Sequence, residues 1–123
     1  MKLPSNVTLR DYALAQLPNL QTVDGTNIII GGHHTFYYSP NYALRTSTGD
    51  YTDLHVSSFC RSLEGTFGRA NESTNITRDD AKHFINTAIP SRNNITSIKH
   101  LFFNNTGITY NLDDFKSDLT SDA

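Results

Sequence analysis

The chain has 123 residues, the common size of one domain, and 37% of them are apolar, which is enough to support a folded core rather than disorder. Ten basic and twelve acidic side chains leave a formal net charge of −2. A net charge so close to zero argues against a protein that binds nucleic acid or anionic membranes through a strong positive electrostatic potential. A single cysteine excludes an internal disulfide and a cysteine-based zinc site.

Targeting signals are the next feature. The longest apolar run, Ile28–Ile30, is too short to cross a bilayer, and no run of signal-peptide length follows Met1. We therefore expect a cytoplasmic protein that does not associate with a membrane. If it is viral, we expect it in the host cytoplasm or in the virion. Glycosylation sequons start at Asn6, Asn71, Asn75, Asn94 and Asn104. We attribute them to the abundance of Asn, Ser and Thr, unless the chain is a piece of a longer secreted protein.

The first predicted elements are a helix and a strand. Thr8 with Asp11 three residues on forms a capping box, and the helix that follows is expected to end or kink at Pro18. Residues 27–30 are rich in β-branched side chains and predict a short buried strand. Residues 34–38 and 42–47 predict two further strands, paired as a hairpin around a turn that contains Pro40.

Two helices are predicted in the middle of the chain. The first follows Thr52 and runs to about Glu64; its apolar residues fall at helical spacing. These are Val56, Phe59, Cys60, Leu63 and Phe67. The second runs from Arg78 to about Ala88 behind a capping box. If both helices face one core, truncation of Phe59, Leu63, Phe84 or Ile85 to alanine is expected to cost about 2–5 kcal/mol each.

The last predicted elements are a second hairpin, with strands over 98–103 and 108–112, and a short helix through Leu119. Residues 120–123 are expected to fray. No internal repeat or linker interrupts the chain. Together the elements predict a single α+β domain over 1–123, with an antiparallel or mixed sheet of two hairpins plus one strand, packed against two central helices.

Two histidines carry short motifs of possible catalytic use. His34 lies in His33-His34-Thr35, and His55 begins His55-Val56-Ser57. Paired His-x-Thr/Ser motifs resemble those of the 2H phosphoesterases, in which the imidazoles act as acid and base and the hydroxyls hold phosphate. The resemblance implies a phosphodiester hydrolase with His34 and His55 as the acid–base pair. A helical His55 would break that geometry, so the sequence assigns no catalytic residue.

Metal binding and thiol chemistry are the other reactive alternatives. His33, His34 and His55, with Asp53, would suit zinc or a similar ion if they converged, but they lack a metal-ligand spacing. The sequence therefore predicts neither a metal nor another cofactor. Cys60 lies among apolar residues, which predicts a buried and inert thiol.

Aromatic residues concentrate on the first predicted hairpin. If it is a sheet surface, Phe36 and Tyr38 share one face and Tyr37 lies on the other. We take Tyr37, Tyr42 and Arg45 as the candidate binding residues, because exposed aromatics and arginine anchor protein partners. Ordinary cross-strand packing would also account for this composition.

The function expected from the sequence is non-enzymatic. A small, lysine-poor chain rich in Asn, Ser and Thr looks like many virus- or phage-encoded structural and host-interaction proteins. We therefore expect a protein-binding or assembly module, with a protein partner or self-assembly into a homo-oligomer. The alternatives are the small phosphodiester hydrolase and a nucleotide- or RNA-binding module. The near-neutral charge disfavours nucleic acid but leaves a stacking pocket open.

Overall fold

A computed structural model describes residues 1–108. Three short strands, β1 (Thr8–Leu9), β2 (Ile28–Ile30) and β3 (Leu54–Val56), and one helix, α1 (Arg78–Ala88), are its regular elements over that range. The predicted helix through Leu119 and the frayed tail 120–123 lie outside the described residues, as does the strand over 108–112 beyond its first residue.

The three strands form one parallel sheet in the order β1-β2-β3. Thr8 pairs with Ile29 across the first ladder, and Ile29 pairs with His55 across the second. Further parallel bridges join Lys2 to Asp24 and Ser62 to Ser97. The chain therefore returns repeatedly in the same direction instead of reversing in hairpins.

The predicted fold class is wrong on both counts. The sheet is parallel rather than antiparallel or mixed, and within residues 1–108 one helix is present where two central helices were expected. Neither the helix predicted after Thr8 nor the hairpin of 34–47 forms, and residues 98–103, the first strand of the second predicted hairpin, form turns and no strand. In the first hairpin segment, Arg45 bridges Tyr51 in antiparallel fashion, but residues 34–38 pair with other parts of the chain.

Beyond the strands, the parallel stacking continues through linked turns. We name the four stacked segments the first passage (2–16), the second (24–39), the third (54–69) and the fourth (97–105). Leu14 N–H donates to the Thr35 carbonyl at 2.8 Å, and Phe36 N–H donates to that of Thr66 at 3.0 Å. Phe67 N–H donates to the Leu101 carbonyl at 2.8 Å. Alternate amides thus join successive passages, as in the quasi-one-dimensional packing of solenoids.

Left-handed backbone conformations set the shape of these turns. Tyr12, His34, Tyr38 and His100 all have φ between 54° and 60°, and Gly65 has φ 66°. A positive φ is the left-handed conformation, which is normally adopted by Gly or Asn because other side chains strain it. Four of these five positions are neither, so the residue types gave no turn signal.

An aromatic column fills the centre of the stack. Phe67 is fully buried; its ring stacks on Phe36 at 5.5 Å and on Phe102 at 5.6 Å, one ring from each of three successive passages. Phe84 of α1 meets the same Phe67 ring edge-on at 4.9 Å. This single side chain therefore ties the stacked passages to the helix.

Helix α1 confirms the prediction for residues 78–88. Thr77 accepts from the Asp80 amide at 3.1 Å, and the Asp80 carboxylate accepts from the Thr77 amide at 3.0 Å, a complete capping box. Burial opposes ionisation of Asp80, but hydrogen bonds from Thr77 and Tyr51 and the charge of Arg45 outweigh it and lower the pKa of that carboxyl. The buried stripe of α1 includes Phe84 and Ile85, as the spacing predicted.

The helix predicted between Thr52 and Glu64 is wrong. Residues 54–56 form β3, and turns follow. Four of its five apolar positions, Val56, Cys60, Leu63 and Phe67, are nevertheless buried. Linked turns bring a side chain inward every few residues, so they reproduce a helical spacing without a helix.

Phe59 is the apolar residue of that set that lies outside the core. It is 53% exposed, and the Arg10 guanidinium lies 4.8 Å from its ring centroid. We expect Phe59→Ala to change the free energy of unfolding by less than about 1 kcal/mol, whereas Leu63→Ala, at a fully buried site, costs about 2–5 kcal/mol. Urea unfolding followed by circular dichroism measures both. Equal losses would place Phe59 back in the core.

No helix in the part of the chain that the structure describes is long and apolar enough to cross a bilayer.

Candidate functional site

The most concentrated group of partly exposed aromatic and imidazole side chains is formed by Tyr12, His33, His34, Tyr37 and Tyr38, here named the aromatic–imidazole cluster. Tyr12 comes from the first passage and the other four from the second. The amide of Tyr12 donates to the His33 carbonyl at 3.1 Å, so the parallel stacking itself brings these side chains together.

The rings of the cluster are in direct contact. Tyr12 stacks on His34 with centroids 4.7 Å apart and planes within 8°. Tyr37 meets the His34 ring edge-on at 4.8 Å and stacks on Tyr38 at 3.8 Å. Such geometries are the favoured ones for aromatic pairs, and they hold the exposed rings in a defined arrangement.

Two glycines provide the space for the cluster. A methyl group on Gly65 would lie 2.3 Å from Cδ2 of His34, and one on Gly32 would lie 2.2 Å from Oδ1 of Asp11. The imidazole of His34 therefore rests directly on the backbone of the third passage. A larger residue at Gly65 would displace the His34 ring, and one at Gly32 would collide with Asp11 and the backbone of the first passage.

The two imidazoles form a hydrogen-bonded chain with a carboxylate. Nδ1 of His33 lies 2.7 Å from Nδ1 of His34, and Nε2 of His33 lies 3.3 Å from Oδ2 of Asp11. With both rings neutral, these contacts are satisfied if His34 donates to His33 and His33 donates to Asp11. Partial burial, and then the charge of His33, lower the pKa of His34, which favours its neutral form.

The lowered pKa of His34 predicts a stability change with pH. Below the ordinary value of 6.5 the unfolded chain takes up a proton that folded His34 resists, so the free energy of unfolding falls as the pH drops below about 6.5. His34→Phe keeps a flat ring over Tyr12 and removes this titration. We expect urea unfolding at pH 7.5 and 5.5 to show a smaller loss in the variant. An identical loss in both proteins would mean that His34 titrates normally.

Tyr38 connects the cluster to a groove of about 410 Å³. Polar residues, Asn41, Asn71, Ser73, Thr74 and Asn75 among them, line most of it. The hydrogen bond between the Tyr37 and Tyr38 side chains, with burial, raises the pKa of Tyr37 to about 12, so its hydroxyl stays protonated. Aromatic rings thus border a groove rich in hydrogen-bonding groups.

Only one of the three predicted binding residues belongs to this surface. Tyr37 does, but Tyr42 is fully buried, stacks on Phe36 at 4.5 Å and donates to the Thr52 hydroxyl at 2.9 Å. Arg45 pairs with Asp80 at 2.8 Å and lies over the Tyr51 ring. Tyr42 therefore belongs to the core, and Arg45 anchors α1 to the stack.

The predicted histidine pair is divided between two sets of contacts. His55 lies on β3, not on a helix, and its Nε2 is 2.7 Å from the Asp53 carboxylate, whereas His34 contacts His33, Tyr12 and Tyr37. No group of three or more His, Cys, Asp or Glu side chains in the described range is arranged to hold a metal ion. The candidate ligands His33, His34 and His55 thus form no such group.

Cys60 is buried, as predicted, although on a turn and not on a helix. Its Sγ lies 3.3 Å from the Ser62 carbonyl, and burial raises the pKa of the thiol. A protonated, enclosed thiol is a poor nucleophile.

Comparisons of the chain with protein-family models, with curated proteins and with solved structures found no match in any of the three. Tyr12 and Tyr38 are the cluster residues that sequence reasoning missed. No local signal shows that residues 10–16 stack on residues 33–38, and strand alternation had placed Tyr38 on the face of Phe36.

Proposed function

We propose that this chain is a protein-binding module and that the aromatic–imidazole cluster, with the groove beside Tyr38, is its binding surface. The observation that carries the proposal is the contiguity of five partly exposed aromatic and imidazole side chains, held by stacked and edge-on ring contacts, with His34 against the backbone of Gly65. Tyrosine, with tryptophan and arginine, is enriched among the residues that dominate binding energy at protein interfaces.

The chemistry of the surroundings also favours a protein partner. An interface centre is typically aromatic and poor in charge, with a polar rim that offers hydrogen bonds. The cluster and the amide-rich groove match that division. Its rings are already held by one another, so little side-chain entropy is lost on binding.

The test uses selection from a peptide library displayed on phage against the wild-type protein. Enriched peptides are then measured by fluorescence anisotropy against wild type and against the double variant Tyr37→Ser/Tyr38→Ser. Loss of two anchor rings is expected to weaken binding about tenfold or more. Circular dichroism and thermal unfolding establish that the variant is folded.

A matched control removes an exposed aromatic ring from outside the cluster. Phe59 is 53% exposed and contacts Arg10 but no ring of the cluster. Phe59→Ser should leave peptide affinity unchanged. Peptides that bind the double variant as tightly as wild type, or that lose affinity equally to Phe59→Ser, would contradict the proposal.

A further inference from the structure

The outer edge of the first passage carries backbone carbonyls that accept no hydrogen bond within the described residues. In the second passage, the carbonyls of residues 33, 35 and 37 accept from amides of the first; in the third, those of residues 64, 66 and 68 accept from the second. The corresponding carbonyls of the first passage belong to Asp11, Ala13 and Ala15. No hydrogen bond from residues 1–108 reaches these three oxygens.

The exposure of side chains also shows that the first passage lacks a covering neighbour. Ala13 is exposed, whereas the residues in register with it, Thr35, Thr66 and Leu101, are 0%, 0% and 3% exposed. Every later passage buries this position because a preceding passage covers it. The first passage thus presents a surface that the rest of the stack keeps internal.

Side chains along this edge indicate what would cover it. Asp11 stands in register with His33, Glu64 and Lys99, a row in which acidic groups alternate with imidazole or cationic ones. The next group in that row, over Asp11, would be basic. Tyr12 is 50% exposed and stacks on His34 on one side, so an aromatic or imidazole ring fits over it.

We propose that the outer edge of residues 10–16 binds a segment of a partner protein that adds one more parallel passage to the stack. Backbone amides of the segment donate to Asp11, Ala13 and Ala15, as in β-augmentation. Its side chains run basic, then aromatic or imidazole, then two apolar residues. This deepens the proposed protein-binding function, on which it rests, by naming the chemistry of the partner.

The chain itself supplies a probe of this pattern. Residues 99–102 read Lys-His-Leu-Phe and already adopt the passage conformation, with φ 60° at His100. A fluorescent peptide copying residues 97–105 is titrated into the full chain. Methylation of its backbone nitrogen at the Phe102 position removes the donor to Ala13. Methylation at the Lys99 position is the control, because the Lys99 amide faces the Ser97 hydroxyl of its own passage.

The protein is varied in parallel. Ala13→Lys places on the edge a charge that a covering segment would have to bury, and Gln21→Lys adds the same charge at another exposed site. Binding that is weakened about tenfold or more by Ala13→Lys and by methylation at Phe102, but not by either control, supports the proposal.

The other results overturn it. Absence of binding, or binding equal in Ala13→Lys and wild type, removes the edge site. Self-association that Ala13→Lys abolishes would identify a second copy, not a partner, as the occupant. The double variant Tyr37→Ser/Tyr38→Ser separates the two proposals. If library peptides bind the double variant as tightly as wild type, while the probe still loses affinity for Ala13→Lys, the cluster is not a binding surface. The edge site is then supported on its own.

Discussion

Replacing Phe67 by alanine is expected to lower the free energy of unfolding by about 3–5 kcal/mol. The ring is fully buried and contacts Phe36, Phe102 and Phe84, so its loss opens a cavity where three passages meet α1. Urea unfolding followed by circular dichroism measures the loss.

Phe103→Ala is the matched control, because Phe103 is 43% exposed and lies on the fourth passage. We expect it to cost less than about 1 kcal/mol. If Phe67→Ala cost no more than Phe103→Ala, the aromatic column would not be the centre of the core.

The second large effect is expected at Arg69, which joins the third passage directly to the second and fourth and, through Ser39, to the first. Its guanidinium donates to the carbonyls of Ser39 and Tyr42, and its own carbonyl accepts from Asn104 at 3.0 Å. The Ser39 hydroxyl in turn donates to the Leu14 carbonyl at 2.6 Å. Arg69 is 1% exposed, and burial lowers its pKa to about 10, so it remains charged at neutral pH.

Arg69→Ala is expected to cost about 3–5 kcal/mol, because two buried carbonyls lose their donors and a cavity forms. Arg69→Met keeps most of the volume and isolates the hydrogen-bond part of the loss. Arg61→Ala, at an exposed site on the same passage, should change the free energy of unfolding by less than about 0.5 kcal/mol. An unfolding curve for Arg69→Met that coincides with those of wild type and of Arg61→Ala would contradict a stabilising role for the Arg69 hydrogen bonds.

Local signals in the sequence identified the elements that local interactions determine. Helix α1 was predicted because Thr77 and Asp80 cap it and its apolar stripe is regular. Strand β2 was predicted because residues 28–30 are three consecutive isoleucines. In both cases the residues that specify the element lie within it.

The stack was not predictable in the same way. Its passages repeat a conformation, but the loops between them differ in length, so no sequence period is visible. Tyr12, His34 and Tyr38 adopt positive φ because neighbouring passages hold them there, and their residue types alone do not favour it. The register between passages is non-local and leaves no mark in a single sequence.

The same limit explains which residues of the candidate surface the sequence selected. Tyr37 was selected from the density of aromatics, but strand alternation placed Tyr38 with Phe36, whereas Phe36 is buried and Tyr38 is half-exposed beside Tyr37. Linked turns, unlike a strand, present adjacent residues on one side. Composition therefore located the surface, and the backbone conformation decided which rings belong to it.

Hydrogen-bond scalar couplings measured by NMR on the isotopically labelled full chain test the parallel stack most directly. We predict couplings from the amide nitrogen of Leu14 to the carbonyl carbon of Thr35, from Phe36 to Thr66, and from Phe67 to Leu101. Couplings that instead join residues 34–38 to residues 42–47 in antiparallel order would contradict the account.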